Sequence, residues 1–142
     1  MPDFEESEAP RDVRIEEDNH SYYEELTAEK RSPFHEAEYK DLFIFAMAYG
    51  YRHGNRVPLE GETRALVNVG SLTDRQQWIV KAVAIKEVEN GQILTDNSQI
   101  FDIAYQYGNG GIEELYGLFK RPGDGLRELS NEIIEQYQDL KD

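Results

Sequence analysis

From Tyr39 onward the chain reads YKDLFIFAMAYGYRHGNRVPLE, and Leu42 through Tyr49 follow one another without a charge. A helix with no polar face belongs in the centre of a domain rather than on its surface. The pattern therefore predicts a central helix from about Glu36 to His53. Glu36, Glu38 and Asp41 in its first turns, and Arg52 and His53 in its last, complement the helix macrodipole. Gly54 is placed for a left-handed cap. Gly50, inside the helix, costs about 1 kcal/mol relative to Ala, which predicts close approach of another backbone as its compensation.

Either side of this element the periodicity changes. Over Asp12–Asp18, Val13 and Ile15 alternate with charges, the period of a short edge strand. Tyr22, Tyr23 and Leu26 at helical spacing predict a helix from Asn19 or Ser21, closed by Ser32-Pro33 because the residue before Pro disfavours the helical region. Phe34 is expected to tuck into the core. Residues 55–72, with Pro58, Gly61 and Gly70, read as a connection anchored by Leu59, Leu66 and Val67. Thr73 or Ser71 then caps a helix reaching Glu89, with Trp78, Ala82 and Ile85 sharing one face and Ile79 and Val83 beside them. Asp96 or Asn97 caps another, burying Ile100, Phe101, Ile103, Ala104 and Tyr107. Gly108-Asn109-Gly110-Gly111 is expected to break it as a flexible turn, leaving Ile112–Phe119 as a short helix. The alternative for that Gly-rich run is a bare backbone that a partner approaches closely. After the turn signal Arg121–Gly125, the residues Leu126, Leu129, Ile133, Tyr137 and Leu140 recur at steps of three and four, a final amphipathic helix.

The fold class is therefore mainly α: a single compact helical domain of about five helices, with room for a short N-terminal strand. Residues 1–18 read as an acidic, flexible tail and residues 19–142 as the helical domain. The length of 142 residues suits one core.

Charge changes the picture most. The net charge is -14, from 29 acidic and 15 basic side chains. Only the block over residues 42–86 is net positive; the stretches on either side carry the acid. Such a surface repels DNA phosphates and anionic membranes at long range. It resembles the lysine-poor surfaces of proteins from salt-loving archaea, where acidity keeps a protein hydrated in molar salt. There is no Cys, which excludes disulfides, thiolate metal sites and cysteine nucleophiles. The acidic start MPDFEESEAP has the wrong sign for a secretory signal, and no apolar run reaches the length of a membrane span. A cytoplasmic protein is expected.

Catalytic constellations are hard to find. His20, His35 and His53 lie far apart, without metal-ligand spacing, and Gly108–Gly111 lacks the Lys of a phosphate-binding loop. Neither an enzyme, nor a metal site, nor a cofactor is expected. The polar candidates are Arg52, His53, Asn55 and Arg56, together with Asn109 in the Gly-rich run. One reading is C-capping by cations and ion pairs with acids such as Glu60 and Glu62. The other is contact with a partner or a phosphate, helped by Arg64, Arg75, Lys81 and Lys86.

The order of the pieces resembles a family. Phe34 before an acidic helix entry, then YKDLFIFAMAYGYRHGNRVPLE, WIVKAVAIKE, ILTD and IAYQYGNGGIEELYGLF, looks like the DNA phosphorothioation (Dnd system)-associated protein 4 family. The likeness covers roughly residues 30–120 and leaves out the acidic N-terminus. Those are small proteins encoded beside the sulfur-modification and restriction systems of bacteria and archaea, without a catalytic signature. The resemblance implies an accessory role in a DNA modification-restriction, phage-defence system, acting through its protein components.

Two other classes compete with that adaptor. Helices over Thr73–Glu89 and Asp96–Tyr107 could mimic a helix-turn-helix that binds DNA directly, although the second carries no Lys or Arg for a groove. The acidic surface could instead imitate DNA, which requires carboxylates spaced like phosphates on one face rather than spread everywhere.

Overall fold

A computed structural model of the chain describes residues 10–120, 133 and 135–140. Its order is β1 (Asp12–Glu16), α1 (His20–Ala28), α2 (Tyr39–Arg52), β2 (Thr63–Asn68), α3 (Asp74–Val88) and α4 (Asn97–Lys120). A fifth helix, α5, is seen at 133 and over 135–140. The fold is mainly α, as the periodicity predicts. The acidic residues 1–9, the turn at Arg121–Gly125 and the apolar positions Leu126 and Leu129 lie outside the described residues.

Helix α2 is the centre. Leu42, Phe43, Ile44, Phe45, Ala46 and Met47 are consecutive and all buried, so every side of this segment touches protein. It starts at Tyr39, later than expected, which leaves only Asp41 in the first turn. Glu36 sits before the helix in the left-handed region at φ 63°. At the other end Gly54 adopts φ 64° and donates its N–H to the Tyr51 carbonyl, a left-handed stop. Phe34 is buried against Phe45.

Helix α4 corrects the expected break. It runs without interruption from Asn97 to Lys120, with Gly108, Asn109, Gly110 and Gly111 in its buried middle. The reason is its crossing with α2. A Cβ on Gly50 would lie 2.2 Å from the Tyr107 carbonyl oxygen, and one on Gly111 would lie 1.8 Å from that of Ala46. Four glycines around the crossing, Gly50, Gly108, Gly110 and Gly111, at roughly 1 kcal/mol each, oppose helix formation there. The apolar side chains that α2 buries contribute about 1.5–3 kcal/mol each, so packing prevails over propensity. Gly50 thus has the close backbone neighbour that its position predicts.

A second correction concerns residues 55–72, read as a connection. Thr63–Asn68 forms β2, antiparallel to β1, with Asp12 opposite Asn68 and Glu16 opposite Thr63. A bulge between Val13 and Arg14 leaves Leu66 without an opposite residue. β1 does belong to the fold: Val13 and Ile15 are buried, and the Tyr105 hydroxyl of α4 donates to the Asp12 carbonyl at 2.7 Å.

Helix α3 begins at a capping box, with Thr73 Oγ1 accepting from the Gln76 N–H and the Gln76 side chain accepting from the Thr73 N–H. Its orientation is set by packing. Gln76, Gln77, Val80, Lys81, Val83 and Ala84 face inward. Trp78 is 41% exposed, and Ala82 is exposed too. The helix has apolar residues on both faces, so periodicity identifies a stripe without saying which stripe is covered.

Candidate functional site

The polar residues singled out by the sequence gather where the C-terminal end of α2 and its following loop run along α4. Beyond Gly54 the chain lies against that helix: the Asn55 N–H donates to the Gly50 carbonyl at 2.8 Å, and the Val57 N–H to the Gln106 carbonyl at 3.1 Å. Asn55 Nδ2 donates to the Gly110 carbonyl at 3.0 Å and to Glu114 Oε1 at 2.8 Å. This loop fits because Gly110 has no side chain; a Cβ there would lie 2.1 Å from the Asn55 carbonyl oxygen.

Arg56 reaches α4 one turn before Gly110. Its Nε donates to Gln106 Oε1 at 2.6 Å and its Nη1 to Glu87 Oε2 of α3 at 2.5 Å. The remaining oxygen of Glu87 accepts the Tyr107 hydroxyl at 2.7 Å. The Glu87 carboxyl is held below the usual carboxylate range, first by that Tyr107 bond and then by Arg56. Tyr107 is pushed up to about 12, by burial first and by Glu87 second. Arg56 therefore pairs with Glu87 rather than with Glu60 or Glu62, and the pair joins the loop after α2 to α3, with Gln106 and Tyr107 of α4 bonded to it.

Asn109 is buried at the centre of α4 and acts as a hub. Its Oδ1 accepts from Asn19 Nδ2 at 2.7 Å; its Nδ2 donates to Glu16 Oε2 at 2.8 Å and to the Val57 carbonyl at 3.2 Å. One side chain thereby ties β1, the entry to α1 and the loop after α2 to the middle of α4. Burying an amide is tolerable only when it is bonded in this way. Glu113 stands nearby, its carboxyl raised by burial and then by the Glu16 charge, with an Asn19 hydrogen bond opposing them.

Arg52 and His53 differ from the other three. Arg52 is exposed, beside a small cavity lined by Phe45, Ala48, Tyr49 and Leu140. His53 packs its ring against Tyr49 at a tilt of 46°, keeps Nδ1 within 2.9 Å of its carbonyl, and lies 3.9 Å from a Glu114 oxygen. The proposed helpers are dispersed. Arg64 pairs with Glu17, Arg75 bonds the Asp139 carbonyl, and Lys81 is buried with its ammonium 5.0 Å from the Trp78 ring centroid. A cleft of about 570 Å³ lies elsewhere, between the starts of α2 and α3 and α5. Asp41, which accepts from Gln76 at 2.7 Å, and Arg75 line it. Among the described residues, no three His, Asp or Glu side chains converge in a way that could hold a metal ion. No helix of those residues is long and apolar enough to cross a membrane.

The family described as DNA sulphur modification system-associated protein 4 matches residues 12–142. The chain belongs to that family. No curated protein and no solved structure matches it.

The family match begins at Asp12 and so takes in β1 and the last helix, further in both directions than the resemblance over 30–120. Within that span, sequence reasoning found Asn55, Arg56 and Asn109 but missed their counterparts Glu16, Asn19, Glu87, Gln106 and Glu114. Each counterpart is an ordinary polar residue far along the chain from the group it binds. The one usable signal was position: Gln106 and Glu114 flank the Gly-rich run, and a helix unbroken through that run would place them beside the loop after α2.

Proposed function

We propose that this protein is a non-enzymatic accessory component of a DNA sulphur modification system, working through contacts with the system's other proteins in modification-dependent restriction and phage defence. The observation that carries the reading is the family match over residues 12–142. The way the polar candidates are used adds support. Asn55, Arg56 and Asn109 direct their side chains at this chain's own backbone and carboxylates. In this reading they build the scaffold, and recognition is left to the outer surface. A net charge of -14 also disfavours a duplex as the first partner, because long-range repulsion acts before any contact forms.

Affinity purification from native lysate at high salt tests this. The expected result is recovery of protein components of the sulphur modification or restriction machinery, with weakened phage resistance in a deletion strain. Failure to recover any of them, with resistance intact after deletion, would remove the reading. A gel shift on phosphorothioated and unmodified duplex adds the competing outcome. Retardation that falls steeply with salt would mark direct phosphate contact.

A further inference from the structure

The outward face of α3 carries two apolar residues, Trp78 and Ala82, at its middle, between charged ends. Trp78 is 41% exposed, and Ala82 stands one turn further along the same face. Ile85 continues the stripe and is half-buried. Spacing of i, i+4 and i+7 is that of anchors by which one helix seats on another. An exposed Trp is also the residue type most often at the centre of an interface. The stripe is bounded by charge at both ends: Asp74 and Arg75 in the first turn, Lys86 and Glu89 at the last. These four sum to zero in a protein whose net charge is -14.

We propose that this face is where a second copy of the chain docks, α3 against α3 and antiparallel about a two-fold axis. Self-association of so acidic a protein meets least repulsion where local charge is balanced. The arrangement of the ends selects the direction. A parallel pair would set Asp74 beside Asp74 and Lys86 beside Lys86. An antiparallel pair, with the axis midway between Trp78 and Ala82, brings Asp74 level with Lys86 of the second copy and sets the Trp78 ring against Ala82, each contact made twice. A two-fold axis requires such self-complementarity, and small Ala opposite large Trp lets the helices close. The net charges still repel across the rest of the surface, so salt strengthens this contact. Phosphate binding has the opposite dependence. The inference stands apart from the proposed accessory role, and either can fail alone.

Sedimentation equilibrium of the full chain over a concentration series tests it, at about 0.1 M and about 1 M KCl, where the screening length falls from about 10 to about 3 Å. Trp78 is the sole Trp, so its emission reports on this face directly. Dimer is expected to grow with concentration and salt, with a blue shift of emission in step. Ala82→Arg should weaken association ~10-fold or more with the far-UV circular dichroism unchanged. Asp74→Lys and Lys86→Glu should each weaken it, and the double variant should recover it. A chain that stays monomeric throughout, or a dimer indifferent to Ala82→Arg and to the charge swap, overturns the proposal.

Discussion

Gly50 of α2 and Gly111 of α4 meet backbone to backbone: a Cβ on Gly50 would lie 3.0 Å from the Gly111 nitrogen, and one on Gly111 would lie 3.1 Å from the Gly50 nitrogen. Neither helix can move in or out at this point without breaking the fit. The loop that carries Asn55 and Arg56 leaves α2 just after the crossing, so its position along α4 is set here. Gly50→Ala and Gly111→Ala should each destabilise by about 3 kcal/mol or more, because an added methyl must displace backbone rather than a side chain. Gly117 of the same helix has nothing within 4 Å of an added Cβ, and Gly117→Ala should stabilise by about 0.5–1 kcal/mol through helix propensity. Urea unfolding of the three variants separates the cases. A Gly111→Ala protein as stable as the wild type would mean that the helices do not meet this way.

Asn109 should behave as a structural hub. Asn109→Ala leaves Asn19 Nδ2 without its acceptor and removes the donor to Glu16, which should cost about 1–3 kcal/mol. Because Asn19 and Asn109 bond each other, the double Ala variant should lose less than the sum of the single losses. Additive losses in a double-mutant cycle would show that the bond contributes nothing of its own.

The Arg56–Glu87–Tyr107 cluster should give stability a signature at both ends of the pH scale. The Glu87 carboxyl is depressed in the folded state. Its contribution is therefore present above the unfolded carboxylate value and is lost as pH falls through the depressed one. Tyr107 is raised to about 12. Its contribution is present below the ordinary Tyr value near 10 and is lost as pH rises towards about 12. Glu87→Gln should flatten the acid limb of a stability–pH profile, and Tyr107→Phe the alkaline limb. Profiles that coincide with the wild type at both limbs would contradict the cluster.

Arg52 and Arg56 lie four residues apart, with different duties. Arg52→Ala should stay within about 0.5 kcal/mol of the wild type, as exposed substitutions usually do. Arg56→Ala, which leaves Glu87 Oε2 and Gln106 Oε1 without the Arg56 donors, should cost about 1 kcal/mol more. Thermal unfolding of the pair is sufficient, and equal losses would argue that the Arg56 bonds do not hold in solution.

Much of the architecture was legible because it follows from burial. The unbroken run Leu42–Met47 marks the central helix, Thr73 marks the start of α3, and Gly50 announces a close crossing. The Gly108–Gly111 break was misread because glycine signals local preference, while the opposing force comes from α2, more than fifty residues away. β2 escaped notice because Thr63–Asn68 is mostly exposed and so lacks the buried alternation that betrays a strand. The direction of α3 was not readable, since its inner face is built partly from Gln76, Gln77 and Lys81. Of the candidate site, Asn55, Arg56 and Asn109 stood out as polar residues in apolar or Gly-rich surroundings. Their roles did not, because each depends on a partner brought near by the fold.

The role proposed for this protein is binding to other proteins of a DNA sulphur modification system. Calorimetric titration of the purified chain with that system's purified protein components, at high salt, tests it most directly. Saturable binding to at least one component, persisting at high salt, is expected, with none to duplex DNA under the same conditions. Heat from duplex DNA alone, with every protein component inert, would contradict it.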